Sequence, residues 1–311
     1  MIEDAKVSFV ICTRNRCAEV CQAIESCLAQ TCRPAEIIVL DDASTDDTAL
    51  RVPELFPEVR LITSQSQEGS AALRNKGFRE ARGAIVATID DDAYFTDSAT
   101  LGGVMAVFAA DERTAVVAMP YLEANRSPAC LMKTSRIGTP LNLRSFVSCA
   151  YAVRREVALS VGGYRDFFFY RGEERDLSIR LLEAGYRIVL APVPPVMHLY
   201  HPVRAVDQMF TLGIRNNLLF DMLNIPQPYV LPRMLLDSLQ LLFYRASAGQ
   251  IPTRIRDILA GFRACIQYLS LRKPVRRQTY RLYRSMPRHG AWPVTGSLPP
   301  PLRRQNSDKR P

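Results

Sequence analysis

The stretch VATIDDDAYF, residues 86–95, sets an apolar run against three consecutive aspartates and then returns to aromatic residues. A solitary acidic cluster belongs in a solvated loop, where water and salt screen the mutual repulsion. The flanking sequence argues for something else. Short β-branched runs alternate with helical patterns on either side: VSFVIC (7–12), a helix over 16–30, EIIVL (36–40), a helix over 46–55, VRLITS (59–64), a helix over 69–82, AIVATID (84–90), a helix over 97–110 and AVVAMP (115–120). This rhythm predicts an α/β, Rossmann-like fold, a mostly parallel sheet with helices on both faces and ligands at the carboxyl ends of its strands.

Acidic residues gather at those ends. VLDDASTDDT follows the second strand and TIDDDAYF the fourth, each beginning where its apolar run stops. Two such clusters on one sheet edge repel unless a cation or a donor-rich ligand lies between them. A hard divalent cation takes carboxylate oxygens and the phosphate oxygens of a nucleotide.

With 311 residues and 48% hydrophobic content, the chain is long enough for one large α/β domain with an appendage. The opening MIEDAK has neither a basic n-region nor an apolar h-region and reads as no secretory signal. The longest apolar stretch, YVLPRMLLDSLQLLFY, carries Arg233 and Asp237, so no membrane span is expected. Five of the eight cysteines (Cys12, Cys17, Cys21, Cys27 and Cys32) lie near the start without paired CxxC spacing, which suits reduced, cytosolic thiols. Cys17 and Cys21 are spaced for zinc, but they share a helical stripe with Val20, Ile24, Cys27 and Leu28 and are read as small core residues.

Charge is unevenly spread. Residues 1–200 hold 22 Lys+Arg against 26 Asp+Glu, a balance of −4; residues 201–311 hold 18 against 5, or +13, giving the chain's +9. The basic rear implies an anionic partner.

Four segments, VSFVICTRNR, VLDDASTDDT, EGSAALRNKGFREARGAIVATIDDDA and GGYRDFFFYRGEERDLSIRLLEAGYRIVLAP, resemble in this order the glycosyltransferase family 2 pattern on a GT-A fold, over residues 7–205. The resemblance implies inverting transfer of a sugar from a nucleotide diphosphate sugar donor to an acceptor hydroxyl. The family's DxD motif falls on Asp90 and Asp92, with Asp92 the direct ligand of Mg²⁺ or Mn²⁺, Asp90 nearer the ribose and Asp91 the variable middle residue in the donor site. Relatives add a histidine after the last core strand; VPPVMHLYHP offers His198 and His201, of which His198 is preferred. Asp42 matches the aspartate that accepts from the nucleobase, with Thr13 and Arg14 lining the same pocket. A carboxylate there reads uracil, thymine or guanine, so the base stays open. Arg74 is expected to offset phosphate charge or to pair with Asp42.

RGEERDL departs from the family's GEDxDL. Glu174 stands where the general-base aspartate is expected, and Glu173 and Asp176 compete for the role. The extra methylene moves the carboxylate by about 1.5 Å. Clustering of the three carboxyls is expected to raise the base's pKa.

Acceptor recognition is assigned to residues 121–172, the acceptor being a glycan or lipid-linked glycan. Asn125 in NRS is a formal glycosylation acceptor, set aside with secretion. Three regions are expected: a GT-A domain over 1–205, a basic amphipathic helical region over 206–286 that meets an anionic membrane surface rather than nucleic acid, and a disordered tail over 287–311. The resulting picture is a cytoplasmic or peripheral enzyme of cell-surface polysaccharide or glycolipid assembly. Its rivals are an inactive nucleotide-sugar-binding relative and a sugar-phosphate nucleotidyltransferase. The latter should carry a glycine-rich loop after the first strand, where CTRNRCAEV has no glycine.

Overall fold

The computed structural model describes residues 6–124, 138–169, 171–199, 206–243 and 248–286. The chain begins β1 (Val7–Thr13), α1 (Cys17–Leu28), β2 (Glu36–Asp41), α2 (Thr48–Leu55), β3 (Arg60–Thr63), α3 (Ser70–Glu80) and β4 (Ile85–Asp90). It continues with β5 (Ala93–Tyr94), α4 (Thr100–Ala110), β6 (Thr114–Ala118), β7 (Tyr121–Glu123), β8 (Leu141–Asn142), β9 (Ala150–Arg154), α5 (Arg155–Ser160), α6 (Glu173–Glu183), β10 (Arg187–Leu190) and β11 (Val196–His198). Four helices close it: α7 (Val206–Asn224), α8 (Val230–Phe243), α9 (Ile251–Gln267) and α10 (Arg277–Ser285).

Eight strands form the main sheet in the order β3-β2-β1-β4-β9-β6-β10-β8. All run parallel except β9, antiparallel to both neighbours, and the short β8. Strands covered on both faces read as continuous apolar runs. In β1, Phe9 and Ile11 join Ile24, Leu101 and Phe108 under α1 and α4, while Val10 points to the other face with Leu73, Phe78 and Leu177 under α3 and α6. Gly77 lets α3 close on that second face, because a Cβ there would sit 2.4 Å from Cγ1 of Val10.

The chain leaves β1 outward to β2 and β3 and then returns across β1 to β4, so the carboxyl ends of β1 and β4 border the crevice where strand order reverses. Strand β9 extends the sheet on the far side of β4, with the Asp90 amide donating to the Cys149 carbonyl at 2.8 Å. A second sheet, β5-β11-β7, crosses this end of the molecule. It is fastened directly behind the triple aspartate, where Leu199 N–H donates to the Asp92 carbonyl at 2.7 Å.

The rear helices share a core with the front. Phe168, Ile179 and Leu182 pack with Leu218, Leu223, Val230, Cys265 and Tyr283. Helix α7 also holds the segment entering α6: Asn216 Nδ2 donates to the Phe168 carbonyl at 2.9 Å and to the Arg171 carbonyl at 2.7 Å. The seven described cysteines are free thiols; Cys21 packs half-buried against the core rather than within it, and Cys17 is half-buried outside it. Asn125, His201 and the tail beyond 286 fall outside the described residues.

Candidate functional site

A cavity of about 810 Å³ opens at the carboxyl end of the main sheet. Its wall includes Thr13, Arg14, Asp42, Arg74, Asp90, Asp91, Asp92, Glu173, Glu174 and His198, so residues spread over the front of the sequence converge on one space. Asp176 is not among them. It is fully buried on the opposite side of α6 and accepts from Arg165 Nη1 at 2.7 Å, Arg180 Nε at 2.9 Å and Asn224 Nδ2 at 2.8 Å. Residues two apart on a helix point about 200° apart. Asp176 therefore turns away from Glu174 as a buried structural anchor, while Glu173, only about 60° from Asp176 round the helix, sits at the buried edge of the cavity beside Glu174.

The loops after β1 and β2 are clipped together: Asn15 Oδ1 accepts the Thr45 amide at 2.7 Å, and Asp46 accepts the Cys17 and Thr48 amides. Of the second acidic cluster, only Asp42 reaches the cavity. Its two oxygens accept the amides of Glu68 at 2.7 Å and Gly69 at 3.1 Å, which fixes the carboxylate with lone pairs to spare.

Arg74 pairs with Asp90 rather than Asp42. Its Nη2 donates to Asp90 Oδ1 at 3.0 Å, and its Nη1 lies 3.9 Å from Oε1 of Glu173. Burial alone would lower the Arg74 pKa, but the charge of Asp90 prevails and holds the guanidinium cationic. Desolvation pushes the Asp90 carboxyl upward against the pull of Arg74, helped by Asp92. The Asp91 carboxyl is raised to about 6, again by burial first, with Arg16 opposing.

Sequence reading missed Arg16. Its Nη1 bridges Asp91 Oδ1 at 2.8 Å and Asp92 Oδ2 at 2.6 Å, supplying the positive charge that lets adjacent carboxylates coexist. No periodicity marks it. Ser148 and Cys149 were overlooked as individuals too: Ser148 Oγ donates to Glu174 Oε1 at 2.8 Å, orienting that carboxylate in the cavity wall. Glu173 is almost wholly enclosed, its Oε2 without a hydrogen-bond partner. Burial first, then the neighbouring Glu174 charge, pushes its carboxyl up to about 8, with Arg74 pulling the other way.

His198, at the end of β11, brings Nε2 to 3.3 Å from Oδ1 of Asp92. Single ligand atoms of Asp90, Cys149 and His198 lie within 4.8 Å of one another. The Asp90 carboxylate and the His198 imidazole are donors that fit a divalent cation such as Mn²⁺ or Mg²⁺, whereas burial holds the Cys149 thiol protonated and unsuited to a hard ion.

The sheet thus carries an acid-rich crevice at its switch point with a carboxylate-bearing helix across from it. Residues 8–145 match the model of Glycosyl transferase family 2. Over those residues the chain is similar to family 2 glycosyltransferases, and its sheet shares the GT-A fold of solved glycosyltransferases. An uncharacterized glycosyltransferase, YwdF of Bacillus subtilis, is 39% identical over 93 residues, 29% of this chain and 34% of its own length. The O-antigen chain rhamnosyltransferase WbaN of Salmonella anatum is 26% identical over 204 residues, 60% of this chain and 64% of the relative. Each alignment thus spans less than two thirds of the relative. A mannosyltransferase of Pyrobaculum calidifontis, solved with GDP-Man and Mn²⁺, superposes with TM-score 0.54 at 19% identity, covering 90% of this chain and 79% of that one.

Proposed function

We propose that the chain is an inverting, metal-dependent glycosyltransferase that moves a sugar from a nucleotide diphosphate donor to a hydroxyl of a glycan or lipid-linked glycan in surface polysaccharide assembly. The observation that carries this reading is the convergence of Asp42, Asp90, Asp92, His198 and Glu174 on one cavity at the switch point. WbaN, a rhamnosyltransferase of O-antigen chains, supports the pathway class, and the neighbour bound to GDP-Man and Mn²⁺ supports the donor and the cation.

In this reading Asp42, held by two backbone amides, accepts from the base, and Thr13 and Arg14 line the nucleoside end. Asp90, Asp92 and His198 would hold Mg²⁺ or Mn²⁺, which when bound supplies Lewis-acid stabilisation of charge growing on the leaving diphosphate. Arg74 and Arg16 oppose the upward pull of burial on the aspartates and orient them. Glu174 takes the proton of the acceptor hydroxyl as that oxygen attacks the sugar's anomeric carbon, with Ser148 fixing the carboxylate. Glu173, behind it, positions Arg74. Asp176 anchors α6 and takes no part in proton transfer. The free thiols support a reducing, cytoplasmic setting, and the basic rear supports contact with an anionic membrane surface.

Calorimetric titration with UDP, GDP and dTDP sugars, with and without Mn²⁺, tests the assignment. Asp92→Ala should abolish metal-dependent donor binding, and Asp42→Ala should weaken binding with or without metal. Unchanged Mn²⁺-dependent affinity for all three donors in both variants would overturn it. Donor binding without product from any glycan acceptor would leave a binding protein instead of an enzyme.

A further inference from the structure

The rear helices carry two apolar faces, and among the described residues only one is covered. On α9, Arg254, Asp257, Gly261, Ala264 and Cys265 are buried on the side facing the rest of the molecule. The opposite side bears Ile255, Leu259, Phe262 and Ile266, all exposed, with Ile266 at 74%. Their spacing of 4, 3 and 4 residues keeps them within about 60° of helix surface. Helix α8 repeats the arrangement: Val230, Met234 and Asp237 face inward, while Leu231, Leu235, Leu239 and Phe243, four residues apart, are exposed at 47–68%. A solvated helix face is ordinarily polar, so two neighbouring stripes of this kind mark a contact surface.

Charge says what contacts it. The three carboxylates with described side chains in residues 211–286, Asp221, Asp237 and Asp257, are all buried. By contrast Arg256, Arg263, Lys273, Arg277, Arg281 and Arg284 are exposed. Arg256 and Arg263 follow Ile255 and Phe262 by one position, which sets both on the same flank of the α9 stripe, about 100° round the helix. The described surface of this region therefore offers apolar side chains and positive charge, with no exposed negative partner. A second copy docked face to face would bring no exposed carboxylate of this region to meet these arginines. Among the described residues, no helix is long and apolar enough to cross a membrane.

We infer that the α8–α9 face is a monotopic membrane-docking surface: leucine, isoleucine and phenylalanine side chains enter the boundary of the acyl chains while the flanking arginines bind anionic lipid headgroups. The inference rests on the membrane half of the functional reading, not on the transfer chemistry. It deepens that reading by naming the face and by making apolar insertion, not charge alone, the source of retention. Docking fixes the enzyme at the lipid surface, where a lipid-linked acceptor presents its hydroxyl.

The test is vesicle flotation of the full chain without substrate. Vesicles of equal parts phosphatidylcholine and phosphatidylglycerol are compared with pure phosphatidylcholine, at low and high salt. The wild type should float with the anionic vesicles, weaken in high salt and keep a salt-resistant fraction. Leu235→Gln/Leu239→Gln/Ile266→Gln, at exposed positions, should leave the circular dichroism spectrum intact and lower the partition coefficient by at least about a hundredfold. Arg256→Gln/Arg263→Gln should lose the preference for anionic lipid. If the triple variant floats like the wild type, attraction is electrostatic only and this inference fails while the wider membrane reading survives. If the wild type binds no vesicle, both fail. If instead sedimentation shows a dimer that the triple variant abolishes, the face is a protein interface and the inference is wrong. Donor binding and turnover are read separately and bear on neither outcome.

Discussion

Replacing Asp176 with asparagine separates a structural carboxylate from a reacting one. The aspartate is completely enclosed, and it neutralises Arg165 and Arg180, whose side chains are only 14% and 13% exposed. Arg180 keeps the Val161 and Gly163 carbonyls as partners, but Arg165 loses the carboxylate charge of Asp176, and the new amide turns a donor toward a guanidinium. Breaking a buried ion pair from one side costs about 3–5 kcal/mol. With unfolding entropy of about 2.1 cal/mol/K per residue, the 311-residue chain has roughly 0.65 kcal/mol/K, so the melting temperature should fall by about 5–8 °C. Calorimetry of Asp176→Asn gives that shift directly. Activity measured well below the transition should drop only a few-fold, because the carboxylate touches nothing in the cavity. A variant that melts with the wild type yet loses kcat a hundredfold would show that Asp176 reaches the reacting atoms, and the geometric argument about α6 would be wrong.

Glu174→Gln preserves shape and the Ser148 contact but cannot take a proton, so kcat should fall by about 10²–10⁴ with donor affinity nearly intact; wild-type turnover in this variant would remove Glu174 as the base. Glu173 gives a pH signature in the metal-free protein. Its folded-state pKa, about 8, lies above the ordinary 4.5, so the folded form binds more protons than the unfolded. Its contribution to stability is complete below pH 4.5 and is lost as pH rises through 8. Glu173→Gln should flatten the fall in stability between those limits, measured by denaturant titration at a series of pH values; an identical pH profile would show that its carboxyl is not held neutral.

Much of this protein is written locally. Apolar runs such as VSFVIC and AIVATID are buried on both faces, so their length, their β-branched content and the polar residue that ends each one place β1, β2 and β4 and put Thr13, Asp42 and Asp90 at their carboxyl ends. Strand β9 was less legible, because nothing in AYAVRREV tells an antiparallel insertion between β4 and β6 from a buried helical turn. Electrostatic pairing is not a local property at all. Arg16 is 75 residues from Asp91 and Arg74 is 16 from Asp90, and only packing of the loops decides that Arg74 answers Asp90 instead of Asp42.

The sequence by itself determined the sheet, its acidic edge and a helix opening with three carboxyls at 173, 174 and 176. Only the tertiary structure decided which of those carboxyls faces the cavity, since helical geometry sets their relative directions but not which side of α6 the core will cover. Packing of Leu177 and Leu181 on the main sheet, and of Ile179 and Leu182 on the rear helices, fixes that rotation, leaving Glu174 in the cavity wall, Glu173 against Arg74 and Asp176 inside.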